Sequence, residues 1–142
     1  MLEPLSGRGL RAEFERCWPW LWKSQCEHGA THSRADVWYL LTRDPSSPEK
    51  AFLWPAKRCV ILGQFFYWPI GMHDFNYWLQ GGSLAELKTL HDGVEQWAER
   101  RGAHRITGRG RDGWSRAMNG DWRKGPTTRV KWLVDPAMWG AQ

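Results

Sequence analysis

No stretch of this 142-residue chain approaches the roughly 18 consecutive apolar residues that a membrane-spanning helix requires. The opening, MLEPLSGRGL, is too polar for the apolar centre of a secretion signal. Cysteine is scarce. Cys17, Cys26 and Cys59 are an odd number without a C-x-x-C pair, which argues against a disulfide framework and leads to the expectation of a soluble chain in a reducing cytoplasm. Internal repeats, low-complexity tracts and linkers are all missing, so one domain over 1–142 is expected, with a helical part over 1–48, a sheet and crossover helix over 50–134 and a tail over 135–142. Acidic side chains are rare in one region. Residues 100–131 hold ten lysines and arginines against only Asp112 and Asp121, whereas the rest of the chain is slightly acidic.

What the chain has in excess is tryptophan, with 12 between Trp18 and Trp139. Indole rings seldom bury completely, so some are expected at the surface, where tryptophan is a favoured anchor for protein contacts. A composition that is 42% hydrophobic and 25% charged excludes wholesale disorder.

Hydrophobic periodicity places the elements. Leu10, Phe14, Cys17 or Trp18, Leu21 and Trp22 form a helical stripe, with a kink or break expected after Cys17 because Pro19 interrupts it. Ser33-Arg-Ala-Asp36 reads as a capping box opening a second helix through Val37, Leu40 and Leu41, which Asp44-Pro-Ser-Ser-Pro48 ends. Strands are expected over 51–54, 58–67 and 73–80, with a hairpin near Gly71. In the third strand, alternation puts Phe75, Tyr77 and Leu79 on one face and Asp74, Asn76, Trp78 and Gln80 on the other. Ser83-Leu-Ala-Glu86 caps a helix over 83–101 whose apolar face is Leu84, Leu87, Leu90 or His91, Val94, Trp97 and Ala98, closed by Gly102. A short strand at 104–107, a helical turn at 114–118 and a closing strand at 127–134 complete an α/β order on a mixed sheet.

The pieces Phe52-Leu-Trp54-Pro55, Trp78-Leu-Gln-Gly81-Gly82-Ser-Leu84, Trp97-Ala-Glu-Arg-Arg-Gly102, His104-Arg-Ile-Thr-Gly108-Arg109 and Gly113-Trp114-Ser-Arg116, in that order and spacing, carry a likeness. Over roughly residues 50–134 the chain resembles the GNAT superfamily, the fold of acetyl-CoA-dependent N-acyltransferases, and within it small GNAT-like proteins of tailed bacteriophages. The resemblance implies a mixed central sheet, an antiparallel meander followed by a strand after the long crossover helix, with two helices in front.

In the enzymes of that superfamily a Q/R-x-x-G-x-G/A turn before the long helix holds the CoA pyrophosphate on backbone amides and the helix N-terminus. Here Gln80-Gly81-Gly82-Ser83-Leu84 stands in its place, so Gly81, Gly82, Ser83, Leu84 and Ala85 are the positions that would contact acetyl-CoA. A base on the fourth strand and a tyrosine acid near the last helix are also implied. His73 and Asp74 on the strand and His91 on the helix are the candidates for the base, while tyrosine occurs only as Tyr39, Tyr67 and Tyr77, which leaves the acid position empty. As plain structural residues, Asp74 would be on the solvent face of its strand and His91 on a helix flank.

The resemblance therefore implies a non-catalytic virion-associated or assembly protein, made in the host cytoplasm, that uses no cofactor and contacts other phage structural proteins. The alternative is an acetyl-CoA-dependent N-acyltransferase with a divergent pyrophosphate loop. Arg109, Arg111, Trp114, Arg116, Trp122 and Arg123 are the expected protein interface, since arginine and tryptophan are preferred anchors. Gly108-Arg-Gly-Arg-Asp-Gly113 beside Trp114 has the make-up of a single-strand nucleic-acid contact, but Asp112 and Asp121 interrupt the charge, so only non-specific attraction is expected. Cys17, Cys26, His28 and His32 invite a zinc reading, but their spacing fits no standard zinc module, and no metal is expected.

Overall fold

The computed structural model describes residues 2–27 and 29–108. Helices α1 (Leu10–Glu27) and α2 (Arg34–Leu41) come first, followed by strands β1 (Ala51–Pro55), β2 (Cys59–Tyr67) and β3 (His73–Gly82), helix α3 (Leu84–Arg100) and strand β4 (Arg105–Gly108). The described strands form one mixed sheet in the order β1-β2-β3-β4. The first two pairings are antiparallel, and the last, reached through the α3 crossover, is parallel.

Local chemistry accounts for the element ends. Ser33 and Asp36 form a reciprocal capping box, with the Asp36 amide donating to Ser33 Oγ at 3.1 Å and the Ser33 amide donating to Asp36 Oδ2 at 2.9 Å. At the end of α3, Gly102 takes φ +96° and donates to the Glu99 carbonyl, while the Ala103 amide donates to the Ala98 carbonyl. This is the Schellman arrangement that glycine permits. The β2–β3 turn closes through Gly71 at φ +89°. Helix α1, in contrast, runs through Pro19 without the expected break. Pro19 is exposed, so water can take the hydrogen bond that its missing N–H would have made.

The sheet is covered on both faces. Helices α1 and α2 close one face around Phe14, Cys17, Leu21, Val37, Leu53, Val60, Leu62 and Leu79. On the other, α3 lies over an aromatic layer of Phe52, Trp54, Phe65, Phe75, Tyr77 and Trp97, several of whose rings meet edge to face. Such pairs add about 0.5–1.5 kcal/mol each beyond the area they bury.

Strand β3 departs from simple alternation. The register opposes Leu79 to Leu62 but Tyr77 to Gly63, so Trp78 is an extra residue in a bulge. Tyr77 therefore packs under α3 and Leu79 under α1, on opposite faces rather than the same one, and Gln80 turns toward α3. On α3 itself, His91 is buried, Leu90 packs partly buried against the core, and Leu84 is 46% exposed.

Candidate functional site

The junction between β3 and α3 is where an acyl-CoA pyrophosphate would have to bind. Gly81 and Gly82 do not form a free loop there. They are the last residues of β3 and pair with Val60 and Cys59 of β2. Gly82 has φ +104°, and a Cβ added to it would lie 2.2 Å from the Arg58 carbonyl oxygen and 2.6 Å from the Cys59 Cα. A Cβ at Gly81 would press on Trp20 of α1 at 3.2 Å. Strand pairing and helix packing thus account for both glycines without a phosphate.

The start of α3 is also occupied. The Ser83 amide donates to the Arg58 carbonyl at 2.8 Å, and Ser83 Oγ accepts from the Glu86 amide at 3.4 Å. The Glu86 carboxylate accepts from the Arg58 backbone N–H at 3.2 Å and from Arg58 Nε at 3.4 Å. An open hollow of about 490 Å³ lies here, lined by Lys57, Arg58, Ala85 and Glu86. The amides of Leu84 and Ala85 remain the donors that a helix start presents. An incoming polyanion would find Glu86 already neutralising Arg58, and each like-charge contact at about 4 Å costs on the order of 1 kcal/mol even in water.

Asp74 is not a solvent-face residue. It is 1% exposed and held by Arg105 on β4, Nε to Oδ1 at 2.7 Å and an NH2 group to Oδ2 at 2.9 Å. The Trp68 indole N–H also donates to Oδ2 at 2.7 Å. The hydrogen bond from Arg105 keeps this carboxylate below its ordinary range against the opposing effect of burial, with Trp68 assisting. A carboxylate so engaged is a poor proton acceptor.

His73 donates its backbone N–H to Nδ1 of His104 at 3.0 Å, and its ring lies 4.9 Å from Tyr67. His91 is no helix-flank residue. It is buried between α3 and β3, with Nε2 2.7 Å from Gln80 Oε1 and its ring 4.5 Å from that of Tyr77. Burial pushes its pKa down to about 4, so the ring is neutral near pH 7. Tyr77 is buried as well, which raises its phenol well above the ordinary value.

These candidates do not converge. Asp74 and His73 sit at the hairpin end of β3. The His91 ring meets the strand further along, at Tyr77 and Gln80. The residues of the zinc set that the structure describes lie in different settings. Cys17 is buried on α1 with burial raising its thiol to about 11, Cys26 is exposed, His32 bonds Thr31 and packs on Trp78, and His28 lies outside the described residues. Among the described residues no three metal-ligating side chains cluster.

Arg109, Arg111, Trp114, Arg116, Trp122 and Arg123, the helical turn at 114–118 and the strand at 127–134 lie outside the described residues. Sequence reasoning passed over Arg105 as the partner of Asp74 and Glu86 as the occupant of the α3 start. Only the parallel β3–β4 register and the β1–β2 turn bring those pairs together. No family model, curated protein or solved structure matches this chain. Among the described residues, no helix is long and apolar enough to cross a membrane.

Proposed function

We propose that this chain is a GNAT-like protein of bacteriophage origin that serves in the virion or its assembly as a non-catalytic scaffold acting through protein contacts. The phage and GNAT parts of this reading rest on the resemblance over residues 50–134. One observation supports the non-catalytic part: Glu86, held by the Arg58 backbone and guanidinium N–H groups, sets a carboxylate beside the start of α3, where a pyrophosphate would have to sit. The engagement of Asp74 by Arg105 and Trp68 adds to it.

The second reading, an acetyl-CoA-dependent N-acyltransferase, draws on the open hollow with Lys57 and Arg58 beside the helix start. A thermal-shift titration separates the two, since a ligand that binds only the folded chain raises its melting temperature. Millimolar acetyl-CoA is expected to leave the melting temperature unchanged. A saturable rise that Arg58→Glu removes would show that the chain binds acetyl-CoA, and turnover of acetyl-CoA with an amine acceptor would then establish the enzyme reading. For the virion role, mass spectrometry of purified particles is expected to find the chain at a fixed stoichiometry; absence from finished particles and from assembly intermediates alike would refute both the virion and the assembly role.

A further inference from the structure

The β2–β3 hairpin ends in apolar side chains that the described chain leaves uncovered. Phe66, Tyr67 and Trp68 are 43%, 54% and 48% exposed, and Ile70, in the turn itself, is 84% exposed. They look outward on both sides of the hairpin. Tyr67 stacks on Phe65 of the α3 face, ring centres 5.9 Å apart, whereas Phe66 and Trp68 lie together on the other face, 6.4 Å apart. Isolated exposed apolar residues are ordinary, but a contiguous set at a projecting tip marks an interaction site.

The tip asks for few hydrogen bonds from outside. The Trp68 amide donates to the Met72 carbonyl and the Gly71 amide to the Trp68 carbonyl, both at 2.9 Å. The Trp68 indole N–H is taken by Asp74, which Arg105 anchors in turn. From Cys59 to Met72 the sequence has no charged residue. An exposed indole is thus fixed in place by a buried carboxylate, which lowers the cost of ordering it on binding.

Basic side chains lie in the chain beside the tip. The end of α3 comes close to His73, since a Cβ at Gly102 would lie 4.0 Å from His73 Nδ1, and His73 packs on Tyr67. From Glu99 to Gly108 the chain carries Arg100, Arg101 and Arg105 against Glu99, and the Arg101 guanidinium lies 4.9 Å over the Trp97 ring. Of these, Arg105 is already paired with the buried Asp74.

From this geometry we propose that the hairpin is an interfacial anchor for an anionic lipid bilayer, its aromatic tip among the headgroups and Arg100 and Arg101 against lipid phosphates. A protein socket would have to enclose both faces of the hairpin and its end. A bilayer interface does so without shape complementarity, and tryptophan and tyrosine are the side chains that settle there. Nucleic acid fits less well, because Ile70, the most exposed of the four, offers no ring for stacking. Apolar insertion and attraction of basic side chains to anionic lipid reinforce one another. The anchor is independent of whether acetyl-CoA binds.

The test is co-sedimentation of the full chain with phosphatidylcholine vesicles, with and without phosphatidylglycerol. Binding to the anionic vesicles is expected, at least about tenfold stronger than to the neutral ones. Ile70→Asp is expected to weaken it about tenfold or more by placing a charge at the inserted tip. Because Ile70 is so exposed, its melting temperature should match the wild type. Arg100→Glu should weaken anionic binding while leaving neutral binding unchanged. The proposal is overturned by any of three results: no vesicle binding; anionic binding that Ile70→Asp leaves intact, which is charge attraction alone; or self-association or single-stranded DNA binding, abolished by Ile70→Asp, in a chain that ignores vesicles.

Discussion

Asp74 and Arg105 meet through two hydrogen bonds of 2.7 and 2.9 Å across the parallel β3–β4 pair, and the same carboxylate holds the Trp68 indole. Arg105 keeps the Asp74 pKa below the ordinary carboxylate value, so the unfolded chain binds this proton more readily than the folded one. Its stabilising contribution is therefore complete above about pH 4 and is lost as pH falls through the lower folded-state value. Asp74→Asn is expected to cost about 1–3 kcal/mol at neutral pH and to flatten the acid limb of the stability curve. Urea denaturation of both chains from neutral to acid pH measures this, and identical curves would contradict it.

His91 gives pH dependence in a different window. Burial lowers its pKa from 6.5 to about 4, so the folded chain resists a proton that the unfolded chain accepts. Its contribution is present in full above pH 6.5 and declines as pH falls toward about 4. The loss is on the order of 3 kcal/mol. His91→Gln, which keeps a polar partner for Gln80, should remove the slope between those values. A variant that is as steep as the wild type there would assign the titration to another group.

Gly82 and Gly71 make a matched pair for a steric test. Both have positive φ, but a Cβ at Gly71 meets nothing within 4 Å, whereas one at Gly82 runs into the Arg58 carbonyl. Gly71→Ala should cost about 1 kcal/mol of backbone strain. Gly82→Ala should cost roughly 2–4 kcal/mol, or prevent folding, because β2 and β3 must separate. Equal melting midpoints would mean that strand pairing does not account for the glycine at position 82.

Much of the architecture is readable without coordinates. The Ser33–Asp36 box, the Ser83 cap, the turn at Gly71, the Gly102 terminus and the α1 stripe all follow from residues within a few positions of one another. Caps and turns act over i to i+4, where the covalent chain itself sets the geometry. The mixed sheet, with its crossover helix, follows from the order of those elements.

The site depended on contacts between distant residues. The extra residue at Trp78 reverses the facing of Leu79 and Gln80, and which strand takes a bulge is settled by the partner across the ladder, here Gly63. Asp74 became a buried ion-pair member only because β4 docks in parallel and delivers Arg105, 31 positions away. Gly81 and Gly82 look in sequence like a phosphate turn, and only the backbone of Arg58 and the side chain of Trp20 against them show what they accommodate. Capping and turn residues in the sequence by itself were enough to place the elements, because those signals are local, while pairing with β2 carried β3 on through Gly81 and Gly82. Tertiary structure alone decided which polar groups are spent on the fold and which face outward, because a side chain's charge and hydrogen bonds depend on neighbours that register, not sequence distance, brings to it.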